Sequence, residues 1–582
     1  MNNARIAEIF DLIADLLEFQ GANPFRVRAY RNGARTVRDH SEPMQAIVED
    51  DSRKLTDIPG LGKDLAEKIT TLCATGTVPL LEELQAQVPQ SVLTLLRIPG
   101  MGPKKAALLF NELHITSLEE LRAACEAQQV RKLKGFAAKT EAAILAGMAL
   151  AKTADLRMLW ADADRFAQTI RDHLTFCSSI EQIEVAGSYR RGKDTIGDLD
   201  FLVVSSNPAE VMDRFATVAD VAAVVGRGPT KMSIRLANGL QVDMRVVPAE
   251  SFGAALLYFT GSKDHNIVVR GLAKDRGLKI NEYGVFRVDE GQEELVAGRT
   301  EEEVYATLDL PWFPPELREA RREFEWAKAG TLPELIEVDD LCGDLHMHTT
   351  ETDGKATLEE MVAAAQARGL KYIAITDHSK RVTMARGLDS VRLRKQWEEI
   401  DTLNGKLKNF WVLKGIEVDI LEKGGLDLDD DVLSESDWVV ASVHYGQNQS
   451  REQITARVIG AIENPYVSAI AHPTGRLINR RKPYEIDLDA VFKAARDHHK
   501  MLELNANPSR LDLDDIACAA AKGFGIPIVI SSDAHSTDGL AVVRYGILQS
   551  RRAGLTKNDV ANTLPLKKLL ALIAKGRTHA KR

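Results

Sequence analysis

The chain has 582 residues, 45% hydrophobic and 27% charged, ordinary values for soluble globular protein and enough length for several domains that each bury a core. Its net charge of −9 counts against a generic basic nucleic-acid binder, but backbone amides and local Arg/Lys clusters can hold phosphates on an acidic protein. No apolar run approaches a membrane span, MNNARIAEIFDLI lacks the features of a signal peptide, and Cys73, Cys125, Cys177, Cys342 and Cys518 form no CxxC pair, so a cytosolic, reduced protein with no membrane contact is expected.

Residues 1–153 read as all-helical, with amphipathic periodicity and few β-branched runs. They contain an internal repeat. Ile58-Pro59-Gly60-Leu61-Gly62 with Ala66 recurs 40 residues later as Ile98-Pro99-Gly100-Met101-Gly102 with Ala106. A degenerate third copy is Leu133-Lys134-Gly135-Phe136-Ala137. The glycines permit a tight turn and leave amide N–H groups bare at the start of the following helix. The pattern resembles the helix-hairpin-helix motif, which grips a DNA backbone phosphate without reading sequence. Ordinary helical connections with Gly turns are the competing reading, and two well-matched copies favour DNA. Gly60, Gly62, Gly100 and Gly102 are the expected backbone contacts.

From about residue 180 the pattern turns to strands: IEQIEVAGS, LDFLVVSS and KMSIRLANGLQVDMRVV. Gly187-Ser188-Tyr189-Arg190-Arg191-Gly192 precedes Gly197-Asp198-Leu199-Asp200. Two Asp separated by one residue on an extended chain point to the same face, and Asp243 lies on a later strand. Three carboxylates on adjacent strands can hold two Mg²⁺ or Mn²⁺ ions, a pair that activates a 3′-hydroxyl and stabilises a leaving pyrophosphate. Gly187, Ser188 and Arg191 would bind the triphosphate, the Arg by a charge-assisted contact. A Gly-rich stretch or a DxD alone is weak evidence; the whole string with a distal strand Asp is more specific.

Residues 317–338 are charged, with one Gly and one Pro between Glu316 and Val338, and read as a linker, helical at its start. Residues 339–575 alternate strand and helix. Their short apolar runs end repeatedly in metal-ligand residues: KYIAIT before Asp377 and His378, WVLKGI before Glu417, WVVASV before His444, VSAIA before His472, and PIVISS before Asp533 and His535. His346, His348 and Asp353 sit upstream. Ligands offered from the C-terminal ends of successive strands are the layout of an α/β barrel active site. Mixed His and carboxylate donors suit zinc, manganese or iron. Any one such His is more often a packed structural residue, but six of the 13 histidines fall in these positions. His498 and His499 lie outside the pattern and read as surface residues. The C-terminal LKKLLALIAKGRTHAKR reads as a solvated, frayed end.

The string GSYRRG-x4-GDLD resembles the signature of family X DNA polymerases, and Tyr258-Phe259-Thr260-Gly261-Ser262 resembles their YFTGS segment. The resemblance implies a β-like nucleotidyltransferase palm and thumb, in which Tyr258, Phe259 and Gly261 pack against the sugar of the incoming nucleotide and Gly197 belongs to the nucleotide site. It further implies that Asn266 contacts that nucleotide in the minor groove and that Arg270 contacts the template strand. Lys263 departs from the acidic residue of the animal relatives. In the N-terminal part Lys68 aligns with the family's Schiff-base lysine and Tyr30 with its supporting Tyr. Arg26 and Asp64 replace two lysines of that phosphate pocket; Asp64 reverses the charge, whereas a Schiff-base lysine needs cationic neighbours to lower its pKa.

The second half resembles the polymerase and histidinol phosphatase (PHP) domain, through HMH, Asp353, TDH, GIE, SVH, AHP and SDAH. The resemblance implies a distorted (β/α) barrel whose nine ligands, His346, His348, Asp353, His378, Glu417, His444, His472, Asp533 and His535, hold up to three Mn²⁺ or Zn²⁺ ions. Asp377 would orient His378 from behind.

The expected fold class is therefore multidomain α+β and α/β. The expected domains are a helical DNA-binding domain at 1–80, a fingers-like helical domain at 81–153, the palm at 154–249, the thumb-like domain at 250–316, the linker at 317–338 and the PHP barrel at 339–575. The expected function is gap-filling synthesis in DNA repair, with gapped or nicked DNA and dNTPs as partners. A metal-dependent 3′–5′ exonuclease and apurinic-site cleavage are assigned to the barrel, in a cytoplasmic monomer. The alternative is a repair nuclease whose polymerase core only binds DNA.

Overall fold

In a computed structural model of the protein the described residues are 3–40, 44–50, 52–58, 60–88, 92, 95, 101, 103–133, 135–138, 140–141, 144–145, 157–289 and 292–579. They form two compact units, Met1–Arg157 and Met158–Arg582.

The first unit is helical. Asn3–Phe19 buries Ile6, Phe10, Ile13 and Leu17 at three- and four-residue spacing, and Pro24–Asp39 packs against it under an Asn23 cap that accepts from the Phe25 amide (2.9 Å). The hairpin turn lies at Ile58–Gly62. Gly60 takes φ +95°, Leu61 N donates to Ile58 O (3.1 Å), and Gly62 opens the helix Lys63–Thr75 with no side-chain cap. The degenerate copy repeats the turn: Gly135 takes φ +91° and Phe136 N donates to Leu133 O (3.0 Å). Leu61 and Phe136 are buried at matching positions, so the third copy keeps the turn and its anchoring side chain with little of the sequence. In the second copy Gly100 and Gly102 lie outside the described residues; Met101 is buried.

The second unit begins with a five-stranded mixed sheet in the order Ile180–Val185, Asp198–Ser205, Gln241–Val246, Lys231–Leu236, Val221–Arg227. Apolar residues alternate inward along Lys231–Leu236 and Gln241–Val246, which leaves the other face for chemistry. Helices Phe252–Thr260 and Lys263–Asp275 follow, then a three-stranded antiparallel sheet, Leu278–Asn281, Gly284–Asp289 and Gln292–Ala297.

The 317–338 stretch differs from a solvated linker. Arg318 and Glu323 are fully buried. Arg318 donates to Glu301 and to Phe313 O, while Glu323 accepts from the amides of Ala320 (2.7 Å) and Arg321 (2.9 Å) and faces His265 Nδ1 (2.9 Å). Ile336 joins the barrel core and donates its amide to Leu555 O (3.1 Å). A charge count reads such residues as solvated; here each buried charge has found a fixed partner.

The barrel has seven parallel strands hydrogen-bonded in chain order: Gly343–Asp344, Tyr372–Ile375, Trp411–Asp419, Trp438–Ser442, Ala469–Ile470, Met501–Asn505 and Ile528–Ser531. Their residues are almost all buried, as expected where helices cover a parallel sheet. A parallel bridge between Met347 and Ala534, with His348 N donating to Ala534 O (2.8 Å), brings the first strand to the last and nearly closes the barrel. Tyr372, Trp438 and Met501 fill one end under the C-terminal helix Leu566–His579, whose Leu569 and Ile573 are buried; the basic tail is docked as far as this helix runs. Lys500 Nζ ties that helix down through Gly576 O (3.2 Å) and Val467 O (2.7 Å). His498 and His499 are half-buried and not fully at the surface.

Candidate metal centres

In the palm, Asp198–Ser205 and Gln241–Val246 run parallel, pairing Asp200 with Asp243 and Asp198 with Gln241. The period of two puts Asp198, Asp200 and Asp243 on one face. Gln241 Nε2 donates to Asp243 (3.3 Å). Burial, then Asp198 and Asp243, push the Asp200 carboxyl up to about 7. A buried carboxyl raised by two neighbouring carboxylates marks a donor set that a hard divalent cation satisfies.

Gly187 sits over this site in the left-handed region (φ +65°), and a Cβ there would lie 2.7 Å from Asp200 Oδ2. Only glycine leaves the carboxylate its place. Gly187 and Ser188 open a short helix, Gly187–Arg190; Gly197 is exposed beside Asp198. Arg191 donates Nη1 to Thr260 O and Nε to Glu319 (3.1 Å), and Gly261 packs beside its guanidinium. Tyr258 and Phe259 meet edge to face (5.1 Å). Asn266 Nδ2 donates to Tyr258 O (2.7 Å), and Arg270 lies 6.0 Å from the Tyr258 ring. The fold thus connects the GSYRRG loop to the YFTGS segment through Arg191 and Gly261. Arg245, 4.5 Å over the Phe259 ring, is a neighbour that sequence reasoning missed; its place inside the strand hid it.

At the barrel, ligand-competent atoms converge in three overlapping groups: His348, Asp353, His378 and His535; His346, His348 and Asp533; and His378, Glu417 and His444. His472 Nε2 lies 3.1 Å from Glu417 Oε1. All nine expected residues therefore meet at the same end of the barrel. The fit to cations rests on two orphaned atoms and one crowded pair: His346 Nε2 and His348 Nδ1 are buried without a hydrogen bond, and His378 Nδ1 is pressed to 2.7 Å from Glu417 Oε2. Buried polar atoms are rarely left so, and a bound ion is a standard remedy. Burial would lower His346, but Glu503, Asp533 and Glu417 raise it well above the usual imidazole range. Burial opposes ionisation of Glu417, yet His378, His444 and His346 hold it well below the carboxylate range. His472 (φ +29°) and Asp533 (φ +54°) hold left-handed backbone, a cost that functional sites commonly carry.

One expectation changes here. Asp377 does not face His378; its carboxylate accepts from the Thr349 amide (2.9 Å), Thr349 Oγ1 (2.5 Å), Thr352 Oγ1 and Gln396 Nε2 (2.6 Å). It fixes the loop after His348. Glu503, by contrast, was missed. Its Oε1 lies 2.7 Å from His346 Nδ1 and its Oε2 accepts the His472 amide (2.7 Å). The signal was a carboxylate inside the apolar run MLELNAN, where an unpaired Glu would be too costly to bury. Asp419, 3.2 Å from His444 Nδ1, plays the corresponding part for that ring.

In the first unit Lys68 lies 5.9 Å from the Tyr30 ring, as the aligned pair requires. Asp64 changes its chemistry: Lys68 Nζ donates to Asp64 Oδ1 (2.5 Å), and although burial alone would lower it, the Asp64 bond and Tyr30 leave Lys68 above the usual lysine range. That is the wrong direction for a Schiff-base nucleophile.

Family models match in five segments: a helix-hairpin-helix domain at 1–78, a SAM-like helix-hairpin-helix tandem at 92–149, the DNA polymerase beta palm at 157–227, the DNA polymerase beta thumb at 255–319 and a PHP domain at 344–507. Asp533 and His535 lie beyond the last match and reach the centre through barrel closure. DNA polymerase lambda of Rattus norvegicus is 27% identical over 54% of this chain and 56% of its own. A probable phosphatase of Thermoanaerobacter sp. (strain X514) is 31% identical over 38% of this chain and 89% of its own. The DNA polymerase/3′-5′ exonuclease PolX of Bacillus subtilis (strain 168) is 40% identical over 98% of this chain and 99% of its own. Helix-hairpin-helix, palm, thumb and PHP parts in this order, matched along nearly the whole length of that relative, place the chain in the bacterial family X DNA polymerases with a C-terminal PHP domain.

Proposed function

We propose that this chain fills short gaps in DNA as a templated DNA polymerase and shortens 3′ ends at its barrel. The observation that carries this reading is the presence in one chain of two complete donor sets, the Asp198–Asp200–Asp243 face and the three His/carboxylate groups. At the palm the Asp face would hold Mg²⁺ or Mn²⁺. Arg191 would offer its charge to the triphosphate, while Tyr258, Phe259 and Gly261 would shape the sugar pocket. Asn266 would meet the minor-groove edge of the nucleotide, and Arg270 the template. At the barrel the nine ligands would hold Mn²⁺ or Zn²⁺, with Glu503 and Asp419 fixing the rings of His346 and His444. When bound, these ions polarise phosphate oxygens and offset the charge that develops on them. Gly60 and Gly62, with Gly100 and Gly102 of the second copy, would present bare amides to DNA phosphates on either side of a gap. Among the described residues no helix is long and apolar enough to cross a membrane, and a cytoplasmic monomer remains part of the proposal.

The test is a labelled duplex with a one-nucleotide gap and a 5′-phosphate, incubated with Mn²⁺ with and without dNTPs. Templated extension with dNTPs and 3′ shortening without them is the expected result. Shortening under both conditions would leave a nuclease whose palm only binds DNA.

A further inference from the structure

The palm loop at 187–194 carries Arg191, and the barrel grips this loop at Arg191, Gly192 and Asp194. From the barrel helix Val543–Arg552, Gln549 Nε2 donates to Gly192 O (2.9 Å) and Arg552 Nη1 to Arg191 O (2.7 Å). Gly192 is left-handed (φ +65°), and a Cβ there would fall 2.5 Å from Leu548 Cγ on the same helix. Four residues beyond His472, Arg476 reaches Asp194 (3.3 Å). None of these contacts involves a ligand of the barrel centre.

Glu319 joins the two parts electrostatically. Its Oε1 faces Arg191 Nε (3.1 Å), Lys193 Nζ (3.4 Å) and Arg552 Nη1 (3.0 Å). Burial opposes its ionisation, but Arg552, Lys193 and Arg191 together hold it well below the carboxylate range. Arg552 is itself almost wholly buried and anchored on Asp515 Oδ2 (2.8 Å). An anion so close to Arg191 competes with a triphosphate for its charge. Arg552 takes up part of that anion and at the same time fixes the Arg191 carbonyl. One charge-assisted bond from Arg552 and one neutral bond from Gln549, both on a rigid helix, fix the loop more tightly than its own backbone can.

We propose that Arg552, seconded by Gln549, is a positioning residue of the nucleotide site, so that the nuclease barrel completes the polymerase's triphosphate pocket. The inference rests on the polymerase reading above. It is tested by single-nucleotide insertion on a one-nucleotide gap with the full chain, with 3′ shortening of a single strand in Mn²⁺ as the control for the barrel. Arg552→Ala is expected to raise the dNTP KM about tenfold while kcat changes by less than about threefold. Arg552→Lys should recover only part of the loss, since it keeps the charge beside Glu319 but not the forked reach to Arg191 O and Asp515. Should Arg552→Ala fold poorly, Gln549→Ala carries the test: it removes one buried bond and should raise KM about threefold. Unchanged KM in both variants overturns the proposal. A parallel loss of insertion and shortening in Arg552→Ala marks general unfolding and leaves the decision to Gln549→Ala, in which the same parallel loss overturns the proposal. A wild-type chain that inserts no nucleotide sinks the polymerase reading itself, before any variant is compared.

Discussion

Asp200 and Asp243 stand opposite each other on two parallel strands, with Asp198 one pleat away on the same face. Burial and its two neighbours raise the Asp200 carboxyl to about 7, so the cation-free face is electrostatically strained. Asp200→Asn should lower nucleotide insertion by about 10³-fold, the scale of several kcal/mol of charge stabilisation. Strand shortening at the barrel should stay at the wild-type rate. In chelator at pH 8 the same variant should melt above the wild type, because one of three mutually repelling charges is gone. Calorimetry decides this, and a lower melting temperature would show that the carboxylate is held by partners and not strained.

Glu503 holds His346 by its ring and His472 by its amide. Glu503→Gln keeps the shape but loses the charge that orients the imidazole. Second partners of this kind typically govern metal affinity by about 10- to 100-fold. Isothermal titration with Mn²⁺ should show weakening of that order, with shortening reduced and insertion unaffected. Affinity equal to wild type would reduce Glu503 to packing.

The orphaned atoms of His346 and His348, beside the crowded His378–Glu417 pair, predict that divalent ions stabilise the barrel. Mn²⁺ at about 100 times its dissociation constant should add about 2.7 kcal/mol to the chelated protein. Thermal melting across a Mn²⁺ titration checks this, and Mg²⁺ should act more weakly on a His-rich donor set.

Glu301 accepts from Arg190 (2.7 and 2.9 Å), Arg318 (2.5 and 2.8 Å) and Trp312 Nε1 (2.9 Å). Burial alone would raise its pKa, but the two guanidinium groups outweigh it and hold the carboxyl far below its usual 4.5. A depressed carboxylate pKa contributes stability that is full above the unfolded value and is lost as pH falls toward the folded one. Glu301→Gln should therefore cost about 3–5 kcal/mol at pH 7. The gap to wild type should begin to close below about pH 4.5 in denaturant titrations. A gap constant down to pH 3 would count against the ion pairs.

Lys68 bonded to Asp64 stays a cation. Borohydride trapping on a 5′-deoxyribose phosphate end should give no more adduct with wild type than with Lys68→Ala. Asp64→Lys should restore some trapping, since a second cation lowers the lysine pKa. Strong wild-type trapping lost in Lys68→Ala would reverse this conclusion.

Much of the molecule is legible in the sequence because its signals are local. Gly60 and Gly135 mark turns that need left-handed backbone, Asp198 and Asp200 share a face by the period of two, and His378, His444, His472 and His535 follow apolar strand runs. These depend on chain geometry over a few residues, which the sequence determines by itself. Tertiary structure alone decided what depends on distant pairing. Glu503 lies 157 residues from His346, and in sequence it is one more carboxylate in an apolar run. The charges of 317–338 look solvated until Glu301 and His265 are packed against Arg318 and Glu323. Arg552 reads as a basic residue at a helix end, yet it comes to hold Arg191, 361 residues earlier. A buried charge is stable only beside its partner, and only the closed fold brings that partner near.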